Sequence, residues 1–149
     1  MRTSSHLLTA LFAVLFLSCE KYTDNGMSHI PRIDIQDVTP LSIEEFDGNV
    51  IVKLRYQDGN GDLGFEHPDS LALEVKDVRL LNPDWYYVPP LAPLSSVVSI
   101  EGELSIVLHG TFIFGNGMVE ETYFTLRIRD RAGNWSNTVE TPSITIYKP

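Results

Sequence analysis

Two stretches of the chain alternate apolar and polar residues with a period of two, and this feature restricts the fold more than any other. In residues 49–57, Val50, Val52, Leu54 and Tyr56 alternate with Ile51, Lys53, Arg55 and Gln57. In residues 122–129, Phe124, Leu126 and Ile128 alternate with Tyr123, Thr125, Arg127 and Arg129. Successive side chains on an extended backbone point to opposite faces, so each stretch reads as a strand with one buried and one wet face. Leu104, Ile106 and Leu108, then Ile144 and Ile146, supply further core. No long stretch carries a helical period.

Strands are expected at residues 32–38, 49–57, 71–80, 96–100, 103–108, 122–129 and 138–147, separated by Gly, Pro, Asn and Asp. About seven short strands at this spacing predict an all-β chain, folded as a single immunoglobulin-like β-sandwich over residues 31–149. A domain of this size buries about two thirds of its unfolded surface, enough for a core without disulfides.

The start of the chain is set apart from that domain. Arg2 and the apolar run of residues 7–17 have the build of a secretory signal peptide, residues 1–18. The run is too short to span a bilayer, which takes about 20 residues. Cys19 is the sole cysteine, so it has no disulfide partner within the chain. The segment Phe16-Leu17-Ser18-Cys19 resembles the lipobox of bacterial lipoproteins, whose cysteine receives a diacylglycerol and becomes the mature N-terminus. Ser18 suits the small position, while Phe16 stands where leucine is preferred. Residues 19–30 are then the lipidated N-terminus and tether, and the implied partner is a membrane. Each buried methylene contributes about 0.8 kcal/mol, so two or more acyl chains anchor stably where one is marginal.

The sequence has 11 Lys and Arg against 20 Asp and Glu, a net charge of −9. Nucleic acid is excluded as a partner, since phosphate binding needs clustered cations. Acidity of this kind keeps a domain soluble.

The chemistry is concentrated in one loop. Asp58, Asn60 and Asp62 place oxygen-bearing side chains at alternate positions of a glycine-rich turn, the way calcium loops collect hard ligands. An EF-hand is excluded, because Leu63 occupies its glycine position and Asp69 rather than Glu falls twelfth. In an immunoglobulin-like sandwich the loops after the second and sixth strands emerge at the same pole. Asp58 continues the core parity of Tyr56, and Asp130 that of Ile128. Bringing Asp58, Asp62 and Asp130 together requires a cation, backbone donors or Arg131 to offset the repulsion. Two readings stand: a weak calcium site drawn from Asp58, Asn60, Asp62 and Asp130, or a purely structural pair of Asx-turns.

The hairpin Arg129-Asp130-Arg131-Ala132-Gly133-Asn134-Trp135-Ser136-Asn137 resembles the D-x-x-G-N-x-S turn that closes many bacterial immunoglobulin-like and fibronectin type III-like domains. Together with the loop Tyr56-Gln57-Asp58-Gly59-Asn60-Gly61-Asp62-Leu63-Gly64 and the lipobox, it is similar to a family of uncharacterised Bacteroidetes lipoproteins. The resemblance covers most of the chain beyond the leader. It implies the sandwich fold, export and an outer-membrane lipid anchor facing either the periplasm or the cell surface, and it implies no activity.

Residues 82–93 crowd Trp85, Tyr86 and Tyr87 between prolines. They read as a packing layer over an open sheet edge or as an aromatic platform for sugar or protein. Trp135 reads as a plug folded back over the core or as a ligand contact from the hairpin. His29, His67 and His109 lie in separate segments without zinc spacing, and there is no nucleophile elbow or P-loop. The expectation is a non-enzymatic, lipid-anchored envelope module with a binding or assembly role and calcium as the one candidate cofactor. The alternative is a glycan-binding accessory lipoprotein of an outer-membrane nutrient-uptake complex.

Overall fold

A computed structural model describes residues 26–149; the leader, Cys19 and most of the tether lie outside the described residues. The described residues hold no helix. Their strands are β1 (Arg32–Thr39), β2 (Ser42–Glu44), β3 (Asn49–Asp58), β4 (Leu73–Asp77), β5 (Asp84–Tyr86), β6 (Ile100–His109), β7 (Val119–Thr122), β8 (Phe124–Ile128), β9 (Val139–Glu140) and β10 (Ile144–Tyr147). The protein is all-β.

The two alternating stretches became β3 and β8. Val50, Val52, Leu54 and Tyr56 are buried on β3, and Phe124, Leu126 and Ile128 on β8. Both sets belong to one apolar core with Ile33, Leu73, Val75, Ile106, Leu108, Ile144 and Ile146. Each large aliphatic side chain taken fully out of water contributes roughly 1.5–3 kcal/mol, so the alternation drives the burial.

Three sheets surround that core, with strand orders β1-β3-β6, β2-β10-β7 and β5-β4-β8-β9. The second and third are joined through the chain. Only Tyr123 separates β7 from β8, and β9 leads into β10 through Thr141, Pro142 and Ser143. Across this break the Thr141 N–H donates to Phe124 O, and the Phe124 N–H donates to Thr141 Oγ1, both at 2.9 Å. The arrangement is consistent with a β-sandwich and contains no closed barrel.

Several expected strands are redrawn. Residues 96–100 and 103–108 do not form two strands; the ladder runs unbroken as β6, while Ser96 turns back and donates from both N–H and Oγ to Pro93 O. Gly102 lies opposite Tyr56, and a Cβ there would fall 2.6 Å from the tyrosine Oη. The glycine therefore makes room for the ring rather than ending the strand. The expected strand 138–147 is split, because Pro142 has no N–H to give to a ladder. The expected strand 71–80 shortens to β4, which ends where Leu80 N–H closes a turn on Asp77 O. Strands β2, β5 and β7 have no counterpart in the alternation. β2 is three residues long and pairs in parallel with β10, and β5 is hidden among prolines.

Register carries the acidic loops to one end. Asp58, the last residue of β3, pairs with Ile100, while Ile128 at the end of β8 pairs with Leu73 at the start of β4. The chain also enters there, since Arg32 pairs with Gln57 and the Gly59 N–H donates to Ser28 O at 2.8 Å.

Candidate functional site

At that pole the loop after β3 and the hairpin after β8 are joined directly. Leu63 and Asp130 form an antiparallel bridge, and the Arg131 N–H donates to Asp62 O at 3.1 Å. The Arg131 guanidinium donates to the carbonyls of Gly64 (2.9 Å), Gly61 (3.3 Å) and Leu63 (3.4 Å). Its cation thus holds the loop by its backbone and makes no salt bridge with the carboxylates. Asp130, wholly buried, accepts from the Asn134 N–H on Oδ1 (2.7 Å) and from Asn134 Nδ2 on Oδ2 (2.8 Å). Gly133, at φ +93°, closes this turn in the left-handed region that a side chain disfavours.

Asp58 is wholly buried as well. Its Oδ2 accepts from the Asp62 N–H at 2.9 Å, but its Oδ1 has no hydrogen-bond partner, and the buried Oδ1 atoms of Asn60 and Asp62 also lack one. Burial pushes the Asp58 carboxyl up to about 6; the Asp62 N–H bond opposes this, while the charges of Asp62 and Asp130 and a side-chain hydrogen bond with the Asp62 carboxyl add to it. Asn60, Asp62 and Arg131 line a shallow open depression with Leu94, Ser96, Val97 and Ala132. Among the described residues no three or more His, Cys, Asp or Glu side chains gather as a metal cluster, so any cation here rests on two carboxylates and one amide oxygen. His67 and His109 are exposed in separate segments.

The aromatic residues divide by strand parity. β5 pairs with the edge of β4, so residues 82–93 do cover a sheet edge, with Tyr86 packed on the core and Val88 buried in it. Trp85 and Tyr87 face outward, and Trp85 is 41 % exposed. Across the outer face, Trp85 lies opposite Glu74, and Glu74 opposite Arg127. Arg127 binds Glu74 through Nε (2.9 Å) and Nη2 (2.7 Å) and stacks 4.2 Å from the centre of the Trp135 ring. Trp135 is not part of the buried core; it lies over the sheet's outer face, 5.9 Å from Trp85.

A third cluster, at the opposite pole, escaped the sequence analysis. Phe46, 72 % exposed, stacks on Phe112 with ring centres 6.4 Å apart. The Arg79 guanidinium sits 5.4 Å from the Phe112 ring and, with Leu81 (93 % exposed) and Phe114 (66 % exposed), lines one depression. Arg79 is held by Asp77 and Glu120, each at 2.6 Å, and Asp77 also accepts from Thr122 Oγ1 at 2.7 Å. The available signal was large apolar residues set inside glycine-rich turns, where they have no strand parity to bury them.

Comparison with protein families, with characterised proteins and with solved structures finds no match for this chain.

Proposed function

We propose that this chain is a non-enzymatic, lipid-anchored module of the cell envelope, akin to the Bacteroidetes lipoproteins it resembles, and that it binds or assembles with a protein through its far pole. The observation that carries this is polarity. The described chain enters beside Gly59 at the acidic pole, whereas Phe46, Leu81 and Phe114 stand exposed around Arg79 at the other. Clustered exposed apolar side chains are costly in a monomer and mark interaction surfaces. A tether at one end leaves the other free to meet a partner.

We read the domain as immunoglobulin-like. Supporting this are the β1-β3-β6 sheet, the β5-β4-β8-β9 sheet whose strands β8 and β9 continue in the chain into β7 and β10 of the third sheet, and the parallel pairing of β2 with β10.

The test is native electrophoresis of detergent-solubilised envelopes carrying the full chain or its Phe46→Ser/Phe114→Ser variant. An assembly larger than the monomer that collapses in the variant, at unchanged thermal midpoint, supports the reading. Identical migration of both as monomers rejects it.

A second reading, a glycan-binding accessory lipoprotein of a nutrient-uptake complex, is favoured by the outer face of β5. Trp85 offers an exposed ring for the apolar face of a sugar, beside Trp135 and the paired Glu74 and Arg127. Affinity electrophoresis in polysaccharide-loaded gels distinguishes it, with retardation lost in Trp85→Ala.

A further inference from the structure

Three side-chain oxygens at the acidic pole stand out because most of the acceptors around them are already paired. Asp130 has both oxygens bonded to Asn134. The carbonyls of Gly59, Gly61, Asp62, Leu63 and Gly64 accept from Ser99, Arg131 or Leu91. Against this background Asp58 Oδ1, Asn60 Oδ1 and Asp62 Oδ1 are buried and meet no N–H or hydroxyl donor, and the Asp58 and Asp62 carboxyl groups lie within hydrogen-bonding reach of each other, a contact that needs a proton or a cation between them. They come from alternate residues of one loop, and Asp58 is wholly enclosed. An unmatched buried acceptor costs about 1–3 kcal/mol, more when charged, and adjacent carboxylates repel. Arg131 does not relieve them, since its guanidinium is engaged with backbone oxygens.

We propose that Asp58, Asn60 and Asp62 form a calcium site. A cation satisfies all three oxygens at once and offsets the two negative charges. The donors are hard oxygens, with no imidazole or thiolate in the set, which favours calcium over zinc or copper. Because five of the loop carbonyls already accept hydrogen bonds, water completes most of the coordination sphere, and a site with two carboxylates and several waters is weak, about 10⁻⁴ to 10⁻³ M. Asp130 contributes its charge and the turn that holds the loop, rather than a bond made at the expense of Asn134. The site also lies where the chain enters the domain: Gly59 donates to Ser28 O, and a side chain at Gly59 would collide with the carbonyls of Met27 and Ser28. Bound calcium therefore stiffens the junction between tether and domain. This goes beyond the binding role of the far pole and does not depend on it.

The experiment is thermal unfolding of the full chain in detergent, in chelator and in 10 mM calcium chloride, against sodium chloride of matched ionic strength. Wild type is expected to gain several degrees in calcium alone, as follows when ligand stands well above its dissociation constant. Asp62→Asn, whose amide can still donate to Asp58, keeps the fold and loses the calcium shift; Asp58→Asn in chelator melts no lower than wild type. The proposal is overturned if wild type shows the same midpoint in calcium and in sodium, or if Asp62→Asn retains the full calcium shift.

Discussion

Leu63 and Asp130 lie far apart in sequence, yet they pair as an antiparallel bridge that fastens the loop after β3 to the hairpin after β8. Asp130 is the hinge of this junction, since its backbone bridges one loop while its carboxylate caps the other. Asp130→Ala leaves the Asn134 N–H and side-chain amide without their acceptor. The expected loss is about 1–3 kcal/mol, read as a lower urea midpoint at unchanged slope.

Two glycines at this pole separate strain from crowding. Gly133 has a positive φ but open space where a Cβ would stand, so Gly133→Ala costs only the backbone penalty, about 1 kcal/mol. Gly61 has φ +71°, and a Cβ there would fall 2.5 Å from Val98 O, a backbone atom that cannot swing aside. Gly61→Ala is expected to lose at least twice as much, measured in the same denaturant series.

How much of this was legible in the sequence follows from what each residue needed from its neighbours. Val52, Leu54, Leu126 and Ile128 declare their inward faces by parity alone, and the same parity carried Asp58 and Asp130 to a shared pole. The gap expected between residues 100 and 103 is closed by Gly102, whose lack of a side chain makes room for the opposing Tyr56 ring, a fit that no local pattern announces. Strands β2 and β5 are recruited by pairing with β10 and β4, and three residues carry too little pattern to announce that. Trp135 finds its place through Arg127 and Trp85 on other strands, contacts that no local pattern encodes. Arg131 is one of three ways the sequence offers to offset the carboxylates, and the geometry of the loop gives its guanidinium carbonyls instead.

Asp77 and Asp58 should shape the pH dependence in opposite directions. Burial raises the Asp77 carboxyl, but hydrogen bonds from Arg79 and Thr122 outweigh it and hold it below its ordinary value of 3.8. Its stabilisation is present above that value and is lost as pH falls through the lower folded value. Asp77→Ala breaks this buried pair and is expected to cost about 3–5 kcal/mol. Asp58, raised to about 6, keeps a proton in the folded state that the unfolded chain has released. In chelator its contribution makes the protein less stable as pH rises from about 4 to 6, and Asp58→Asn should remove that decline in stability-against-pH curves.

The proposed anchor is tested by Cys19→Ala. The expected outcome is loss of metabolic fatty-acid labelling and a shift of the protein from the membrane pellet to the soluble fraction. Labelling that survives the substitution would exclude lipidation at this residue.

The most direct measurement of the shared acidic pole and of the cation proposed for it is an amide NMR titration of the full chain with calcium chloride. The 58–64 loop and the 130–134 hairpin are expected to shift together along one saturating curve, with Trp85 and Phe114 unmoved. Saturable shifts confined to one of the two segments, or none by 10 mM calcium, would contradict it.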